Sequence, residues 1–350
     1  MSILVTGGAG YIGAQTVLEL MARGHDVVVL DNLSLGNRGF IDVFASQDLP
    51  GKFEEFIEGD LLDKDTLNAA FRSHRVECVV HLASLSVVPE SVEKPDWYRR
   101  NNVEGAKSLL EAMREADVHR IVFSSSASVY GEPVQIPVDE SQICLPTNPY
   151  GSTKLAVEEM IREYSWNYGV RGAILRYFNV IGADPKLRVG ECRESESHLV
   201  PNILNAITRG RAVAVNGTDY PTHDGTCIRD YVDVEDVARA NVLAEEYLAK
   251  GGATDTFNIG SSRGFSVLEV ISKAGVVIGK EISVASSDRR DGDPPRLVAD
   301  SSKAFSILGW EPKRSLEKSL ESAYDWTVKC KQAESWPGRA RPNGGSASAG

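Results

Sequence analysis

The stretch ILVTGGAGYIG, residues 3–13, leads from a short apolar segment through closely spaced glycines into a helical pattern. Gly7, Gly10 and Gly13 fall directly after the predicted first strand and at the opening of the first predicted helix. Glycines at this place permit a tight turn and let the backbone approach a pyrophosphate, whose charge is favoured by the exposed N–H groups of the helix N-terminus. A purely structural turn is the alternative, so the rest of the chain has to decide.

Short apolar strands alternate with amphipathic stretches throughout the first half of the chain. Such an alternation is typical of crossover units, and it predicts an α/β fold with a doubly wound parallel sheet. YIGAQTVLELMARG and NNVEGAKSLLEAMREADV are among the predicted helices. The predicted strands are ILVTG (3–7), DVVVLD (26–31), EFIEGD (55–60), CVVHLA (78–83), RIVFSS (120–125) and GAILRYFN (172–179).

The second half is less regular, and GADPKLRVGECRESES, which begins it, is a predicted loop. HLVPNILNAITRG and VLEVISKAGVVIG are predicted helices, while DTFNIGS and EISVAS are predicted short strands. We expect residues 1–180 to form the nucleotide-binding domain, with segments near 230–260 returning to it. Residues 181–330 should form mainly a smaller substrate lobe over the carboxyl edge of the sheet, where ligands of such folds bind. Residues 331–350 are expected to be a disordered tail.

An acidic residue supports the dinucleotide interpretation of the glycine turn. Asp31 ends the second predicted strand, where a carboxylate can accept bonds from an adenosine ribose diol and would repel a 2′-phosphate. This favours NAD over NADP and predicts an NAD-binding Rossmann fold, against the alternative of a plain strand-end turn residue. Asp60 ends the third predicted strand beside the expected adenine pocket, although it could equally cap a turn.

The stretch NPYGSTK, residues 148–154, places Tyr150 four positions ahead of Lys154. On a helix these positions share a face, which would bring the lysine ammonium near the tyrosine oxygen. A free tyrosine has a pKa near 10, and a nearby positive charge lowers that pKa enough for the phenol to accept a proton. A packing aromatic at a helix start is the alternative interpretation.

Composition and charge exclude several classes of protein. The 350 residues are 42% hydrophobic and 25% charged, as in globular proteins, and the net charge of -11 offers no general attraction for nucleic acid or anionic membranes. The five cysteines are odd in number and form no CxxC pair, and the six histidines show no metal-ligand spacing. No signal peptide or long apolar run is evident. We therefore expect a cytoplasmic protein without a metal, a disulfide framework, a nucleic-acid partner or a membrane partner.

A set of motifs carries a family resemblance over about residues 1–328. The motifs occur in the order and spacing of the extended short-chain dehydrogenase/reductases, and they most resemble the UDP-glucose 4-epimerases. The resemblance implies a tightly bound NAD, a UDP-sugar substrate and reversible hydride transfer at carbon 4 through a 4-keto sugar. It also implies a homodimer formed through helices near 96–117 and 150–168. The motifs are TGGAGYIG, HLAS, NNVEG, FSSSASVYG, NPYGSTK, RYFNVIGA, DYPTHDGTCIRDYV and RRDGDPP.

The matching motif positions assign the candidate site residues. Tyr150, Lys154 and Ser126 are the implied catalytic set, in which Ser126 orients the sugar oxygen and shares its proton. The implied NAD positions, besides the three glycines and the catalytic pair, are Tyr11, Ile12, Asp31, Asn32, Asp60, Leu61, Leu82, Ala83, Ser84, Asn101 and Phe178. The implied UDP-sugar positions, besides Ser126 and Tyr150, are Asn179, His198, Leu199, Asn216, Arg229, Arg290 and Leu297.

The sequence departs from the best-known bacterial pattern of this family at three positions. Ser86 replaces a lysine near the nicotinamide ribose, His198 replaces an asparagine that contacts the nucleotide, and Asn216 replaces an aromatic residue that lies against the uracil. Leu297 occupies the position whose bulk limits room for an N-acetyl group. Its intermediate size leaves N-acetylated substrates open. A UDP-pentose or UDP-glucuronate 4-epimerase also stays open, because it would share the same chemistry and residues and differ only in the contacts around sugar carbon 6.

Arginines and missing carboxylates separate the remaining alternatives. Arg229 and Arg290 suit the two phosphates of a nucleotide diphosphate, against the alternative of surface ion pairs with Asp230 and Asp291. Nucleotide-sugar 4,6-dehydratases place Asp-Glu directly after the catalytic hydroxyl, where this chain has Ala-Ser at 127–128, which argues against dehydration. A non-enzymatic NAD-binding protein is disfavoured because the catalytic set is retained together.

Overall fold

The computed structural model describes residues 1–193, 198–290 and 292–332. Its strands are β1 (Ser2–Thr6), β2 (Asp26–Asp31), β3 (Phe53–Glu58), β4 (Val76–His81), β5 (Arg120–Ser126), β6 (Arg171–Tyr177), β7 (Asn179–Ile181), β8 (Val213–Asn216), β9 (Ile228–Asp233), β10 (Asp255–Ile259), β11 (Gly264–Ser266), β12 (Val284–Ser287) and β13 (Arg296–Leu297). Its α-helices are α1 (Tyr11–Ala22), α2 (Gly39–Ala45), α3 (Lys64–Ser73), α4 (Val88–Glu93), α5 (Pro95–Arg99), α6 (Gly105–Glu115), α7 (Pro149–Tyr168), α8 (Leu199–Arg209), α9 (Val234–Ala249), α10 (Val267–Ile278) and α11 (Leu316–Gln332).

The main sheet has the spatial order β10-β6-β5-β4-β1-β2-β3, and all its neighbouring strands are parallel. After β1 the chain adds strands on one side, and from β4 onward it adds them on the other. The carboxyl ends of β2, β1 and β4 lie side by side, since Thr6 pairs with both Leu30 and His81. Such a reversal of strand order opens a crevice at the carboxyl edge, where ligands of doubly wound sheets bind. The predicted fold class is confirmed.

Apolar cores cover both faces of this sheet. The residues that α1, α2 and α9 contribute pack on one face, and those of α3, α6 and α7 pack on the other. The strands between them are buried on both sides, which explains the continuous apolar runs in their sequences. The sheet is therefore a rigid support for the side chains that follow its strands.

A second region lies beyond the sheet and has its own apolar core, to which α8, α10 and α11 contribute. In it β9 pairs with β7, β11 and β13, and β8 pairs with β12. The chain also returns to the main sheet, because β10 is its edge strand beside β6. This return falls in the expected segment near 230–260, while the division into domains at residue 180 stays a prediction.

Several predicted bounds differ from the observed ones. The predicted strand 172–179 is divided, because β6 ends at Tyr177 and β7 leaves to pair with β9. Phe178 lies at the break, where its N–H donates to the Ile259 carbonyl at 3.1 Å. The last residues of the predicted loop 182–197, namely 194–197, lie outside the described residues, as do 333–350 of the predicted tail. In the described part of the chain, no helix has the length and apolarity needed to cross a membrane.

Candidate active site

The glycine turn brings bare backbone to the start of α1. Gly7 has φ +72°, and a Cβ atom there would lie 2.5 Å from the Ala83 nitrogen. A Cβ atom on Gly13 would lie 2.0 Å from the Gly7 carbonyl oxygen, so neither position accepts a side chain without moving backbone. No side chain caps the N-terminus of α1, and its first turn contains no acidic residue. The turn therefore fits the phosphates of a dinucleotide, because the unpaired N–H groups at a helix start attract anions.

A small cavity of about 90 Å³ adjoins this turn at the ends of β2 and β3. Asp31 is buried there, and its carboxylate accepts from the N–H groups of Ala9 at 3.0 Å and Leu33 at 2.8 Å. Burial raises the pKa of Asp31, while these two bonds oppose the rise. The cavity is the right place for an adenosine, and the predicted residues that line it are Gly7, Gly10, Asp31, Asn32, Asp60, Leu61, Leu82, Ala83, Ser84 and Asn101.

Asp60 combines both of its proposed roles. Its Oδ1 accepts from the N–H of Leu62 at 2.9 Å, as a turn-forming carboxylate does. Its Oδ2 accepts from the Asn32 amide at 2.8 Å, and both residues line the small cavity. Asp60 thus stabilises the turn and also forms part of the cavity wall.

A large cavity of about 930 Å³ extends from the glycine turn across the carboxyl edge of the sheet to the second region. It brings together predicted residues that lie far apart in the sequence. Those on its sheet side are Gly7, Gly10, Tyr11, Ile12, Gly13, Leu82, Ser84, Ser126, Tyr150, Lys154 and Phe178. Those on its other side are Asn179, His198, Leu199, Arg229, Arg290 and Leu297.

Local sequence places Tyr150 at the start of α7. The Asn148 side chain caps this helix by accepting from the Gly151 N–H at 2.9 Å, and Pro149 occupies the first turn. These are common N-terminal signals, since an Asn cap satisfies a free N–H group and proline needs no partner there. Ser126 is the last residue of β5 at the same edge of the sheet, and its hydroxyl is near enough to the Tyr150 phenol to oppose the rise that burial causes in the pKa of that phenol.

The contacts of Lys154 differ from the prediction. Its ammonium donates to the Ser124 carbonyl at 2.8 Å and lies 5.8 Å from the centroid of the Tyr150 ring. Among the described residues no hydrogen bond joins this ammonium to the tyrosine oxygen, and the predicted closeness of the two groups stays a prediction. Burial lowers the pKa of Lys154 to about 7, and the Glu158 charge opposes this shift. The expected depression of the Tyr150 pKa is wrong, because burial raises it, while the Ser126 hydroxyl and the Arg193 charge act in the opposite direction.

A buried ionic network, which sequence reasoning missed, lies behind the catalytic set. Glu158 is fully buried and accepts from the Arg176 guanidinium at 2.9 and 2.6 Å and from the Ser125 hydroxyl at 2.6 Å. Arg176 also donates to the Tyr130 hydroxyl at 2.9 Å. Burial raises the pKa of Glu158, but the bonds and charge of Arg176, the Ser125 hydrogen bond and the Arg162 charge together outweigh burial and hold that pKa below its usual value. The available signal was Glu158 itself, which lies one helical turn after Lys154 on the face that meets the sheet.

The two predicted phosphate-binding arginines differ in their surroundings. Arg229 is buried, and its Nη1 donates to the carbonyls of Ile228 at 2.9 Å and Pro294 at 2.8 Å. Its ion pair is with Asp293 at 3.3 Å, whereas Asp230 accepts bonds from the 261–262 turn. The alternative of surface pairing between Arg229 and Asp230 is therefore wrong. Asp291, the alternative partner of Arg290, lies outside the described residues.

Asn216 and Leu297 occupy different parts of the site. In the orientation that satisfies its neighbours, the Asn216 amide accepts from the exposed Arg290 at 3.1 and 3.2 Å and donates to Ser287 at 2.8 Å. Among the described residues, the linings of both cavities exclude Asn216, so it acts on the site through Arg290. Leu297 is buried in an apolar cluster with Phe178 that forms one wall of the large cavity.

A charged group that the sequence analysis did not assign lies where the two sides of the large cavity meet. Glu191 pairs through one oxygen with His198 at 3.1 Å and with Arg193 at 3.2 Å. Arg193 also donates to the hydroxyl of Ser86 at 3.3 Å, across 107 positions of sequence. The sequence feature that could have pointed to Arg193 is Ser86, which replaces a lysine of the family pattern and is contacted by the Arg193 guanidinium.

Comparison with known proteins places the chain in a family. A family model described as NAD dependent epimerase/dehydratase family matches residues 3–260. The chain belongs to this family. The resemblance found in the motifs is thereby confirmed, and the family gives the glycine turn and Asp31 the context that they lacked as isolated patterns.

Individual members of the NAD dependent epimerase/dehydratase family match almost the whole chain. A UDP-glucose 4-epimerase from Halalkalibacterium halodurans is 49% identical over 328 residues, which cover 93% of this chain and 95% of that protein. A crystal structure of UDP-glucose 4-epimerase from Brucella ovis in complex with NAD has a TM-score of 0.87 and 40% identity, covering 93% and 97% of the two chains. The Stenotrophomonas maltophila UDP-glucose-4-epimerase with bound NAD and formylated UDP-arabinopyranose has a TM-score of 0.91 and 36% identity, covering 95% and 99%.

Proposed function

We propose that the chain is an NAD-dependent isomerase that interconverts UDP-glucose and UDP-galactose. The observation that carries the proposal is the meeting of Ser126, Tyr150 and Lys154 in the same cavity as the glycine turn of the dinucleotide site. The relatives support the substrate, since the similar proteins are UDP-glucose 4-epimerases. The glycine turn and the small cavity would hold NAD, which when bound would accept a hydride from the sugar and return it.

Tyr150 is proposed to take the proton of the sugar 4-hydroxyl as that carbon is oxidised and to return it afterwards. Its phenol is buried, so the proton is exchanged between protein and substrate with little competition from water. The Ser126 hydroxyl is proposed to hydrogen-bond to the sugar 4-oxygen and to the Tyr150 oxygen, and so to orient both. Lys154, held at the Ser124 carbonyl and 5.8 Å from the centroid of the Tyr150 ring, is proposed to donate to the nicotinamide ribose and to provide positive charge near the tyrosine.

The UDP group is proposed to act as an anchor. Arg229 is fixed by backbone carbonyls, and it offers its remaining guanidinium edge to a phosphate. The sugar must turn over between the two hydride transfers, which requires space, and a cavity of about 930 Å³ provides it. Ala127 and Ser128 follow Ser126, so the two positions that carry the acid and base of dehydratases have no carboxylate in this chain.

The direct test is conversion of UDP-galactose to UDP-glucose by the purified, NAD-containing protein. We expect turnover in both directions towards one equilibrium mixture, measured by separating the two sugar nucleotides. No conversion with NAD bound would overturn the proposal. The same assay with UDP-N-acetylgalactosamine, UDP-xylose and UDP-glucuronate determines whether the Leu297 wall admits other sugars.

The assembly and location of the chain complete the proposal. A homodimer is proposed through the exposed faces of α5 and α7, where Trp97 and Trp166 are 44% and 90% exposed. Large exposed aromatic side chains are a common feature of protein interfaces. If the chain forms a dimer, light scattering will measure a mass of twice 38.1 kDa. A measured mass equal to that of one chain would contradict the dimer. A cytoplasmic location is proposed too, which cell fractionation would test.

A further inference from the structure

Arg193 lies at the boundary between the two sides of the large cavity. It belongs to the segment between β7 and α8, and it lines the same cavity as Tyr150, Arg229 and Arg290. Its Nη2 reaches the Ser86 hydroxyl at 3.3 Å, and its Nε pairs with Glu191 at 3.2 Å. The guanidinium is thus held in place from both sides of the cavity.

One nitrogen of this guanidinium has no partner among the described residues. Nη1 of Arg193 is buried and makes no hydrogen bond, although the other two nitrogens are occupied. A guanidinium carries five N–H donors and no acceptor, and a buried charged donor without a partner is costly. An anion bound in the cavity would supply that partner.

The same feature recurs on a second arginine of the cavity. Nη2 of Arg229 is buried and makes no hydrogen bond, although it lies 3.3 Å from the Asp293 carboxylate in an ion pair, while its Nη1 is used by two backbone carbonyls. Two guanidinium groups therefore have spare donors, and both are already fixed by protein contacts. A diphosphate suits such a pair, because its oxygens accept from planar donors on more than one side.

We propose that Arg193 binds a phosphate oxygen of the diphosphate that links the nucleotide to its sugar. The inference rests on the proposed function, which supplies a sugar nucleotide as substrate. The phosphate next to the sugar is the one assigned to Arg193, because Arg193 contacts Ser86 on the sheet side, where Tyr150 lies, whereas Arg229 belongs to β9 of the second region. Arg229 is left to hold the phosphate nearer the nucleoside.

The test compares UDP with UMP, which lacks the phosphate assigned to Arg193. Binding to the purified, NAD-containing protein is measured by calorimetry for the wild type, Arg193→Gln and Arg193→Lys. We expect Arg193→Gln to weaken UDP binding by roughly 10-fold to 100-fold, the range for a charged hydrogen bond, and to leave UMP binding unchanged. Arg193→Lys should fall between, since it keeps the charge without the planar fork. Arg211→Gln removes an exposed arginine after α8 and should change neither affinity.

A relocated charge makes the test sharper. The double variant Ser86→Lys, Arg193→Gln introduces an ammonium at residue 86, whose side chain contacts the Arg193 guanidinium in the wild type. Its UDP affinity should therefore be partly restored relative to that of Arg193→Gln alone. Thermal melting checks that each variant folds. If Arg193→Gln does not fold, Arg193→Lys carries the same comparison with a smaller expected loss.

The remaining outcomes each decide against the inference. Unchanged UDP affinity in Arg193→Gln would overturn it, and an equal loss for UDP and UMP would show a structural role instead. Arg193→Gln could instead lose its bound NAD and show normal UDP affinity once NAD is added back. That result would mean that Arg193 binds the diphosphate of the cofactor, and it would also overturn the inference. A wild-type protein that binds no UDP would contradict the proposed function itself, which is a different result from any of these.

Discussion

The two sides of the large cavity are built by different means. On the sheet side, backbone and buried groups define the surface: the glycine turn excludes side chains, and Lys154 is held at a carbonyl inside the core. On the other side Arg229 and Leu297 are buried, but the surface also includes the long side chains of His198 and Arg290, which are at least partly exposed. A rigid side suits the chemistry and an adaptable side suits a sugar that must turn over. Substitutions on the two sides should therefore fail in different ways.

The largest effect is expected from Tyr150→Phe, on the sheet side. The variant keeps the ring and its packing but loses the proton acceptor, so turnover should fall by about a thousandfold, within the usual range for general acid–base groups. Bound NAD should be retained, which is measured by releasing the cofactor and determining its absorbance. Full activity in this variant would remove Tyr150 from its proposed role.

The next effect tests whether the sheet side depends on the buried network. Glu158→Gln leaves the buried Arg176 without its ion pair, which should lower the free energy of unfolding by roughly 3 kcal/mol. Glu159→Gln, at the neighbouring exposed position, is the matched control and should stay close to the wild type. Urea unfolding measures both. Equal stabilities for the two variants would mean that the network does not support this side of the cavity.

The two sides also differ in how much the sequence could predict. The glycine turn, Asp31 and the start of α7 depend on residues close together in the chain, so local patterns found them. The pairing of Arg193 with Ser86 and of Glu158 with Arg176 depends on the three-dimensional fold. The bond from the Lys154 ammonium to the Ser124 carbonyl was missed for a related reason: helix spacing places two residues on one face but does not reveal a carbonyl at 2.8 Å.

A third prediction compares the contributions of two arginines, one buried and one exposed, to substrate binding. Arg229→Gln should raise the KM for UDP-galactose about 30-fold, or roughly 2 kcal/mol, because its fixed guanidinium is positioned before the substrate binds. Arg290→Gln should raise it less, because Arg290 is exposed and has to be ordered on binding. Steady-state kinetics give both values. A larger effect at Arg290 would reverse the proposed order of the two anchors.

The smallest effect concerns acid stability on the sheet side. His81 is buried at the end of β4, stacks on Phe123 and shares a hydrogen bond of 2.8 Å with the Thr6 hydroxyl. Burial, followed by the charge of Lys154, lowers the pKa of His81 to about 3. In the unfolded chain this histidine binds a proton near pH 6.5, whereas in the folded chain it stays neutral until about pH 3. The free energy of unfolding therefore decreases as the pH falls from 6.5 towards 3.

His81→Gln keeps a polar side chain beside Thr6 and removes this proton. Between pH 6.5 and 5.5 the unfolding free energy of the wild type should therefore fall about 1 kcal/mol further than that of the variant. The difference in slope is the readout, since any constant loss from the altered packing cancels. His119→Gln, at an exposed site, serves as the control and should keep the wild-type slope. Parallel slopes for wild type and His81→Gln would mean that His81 accepts a proton in the folded chain, and that the sheet side is less rigid than its contacts indicate.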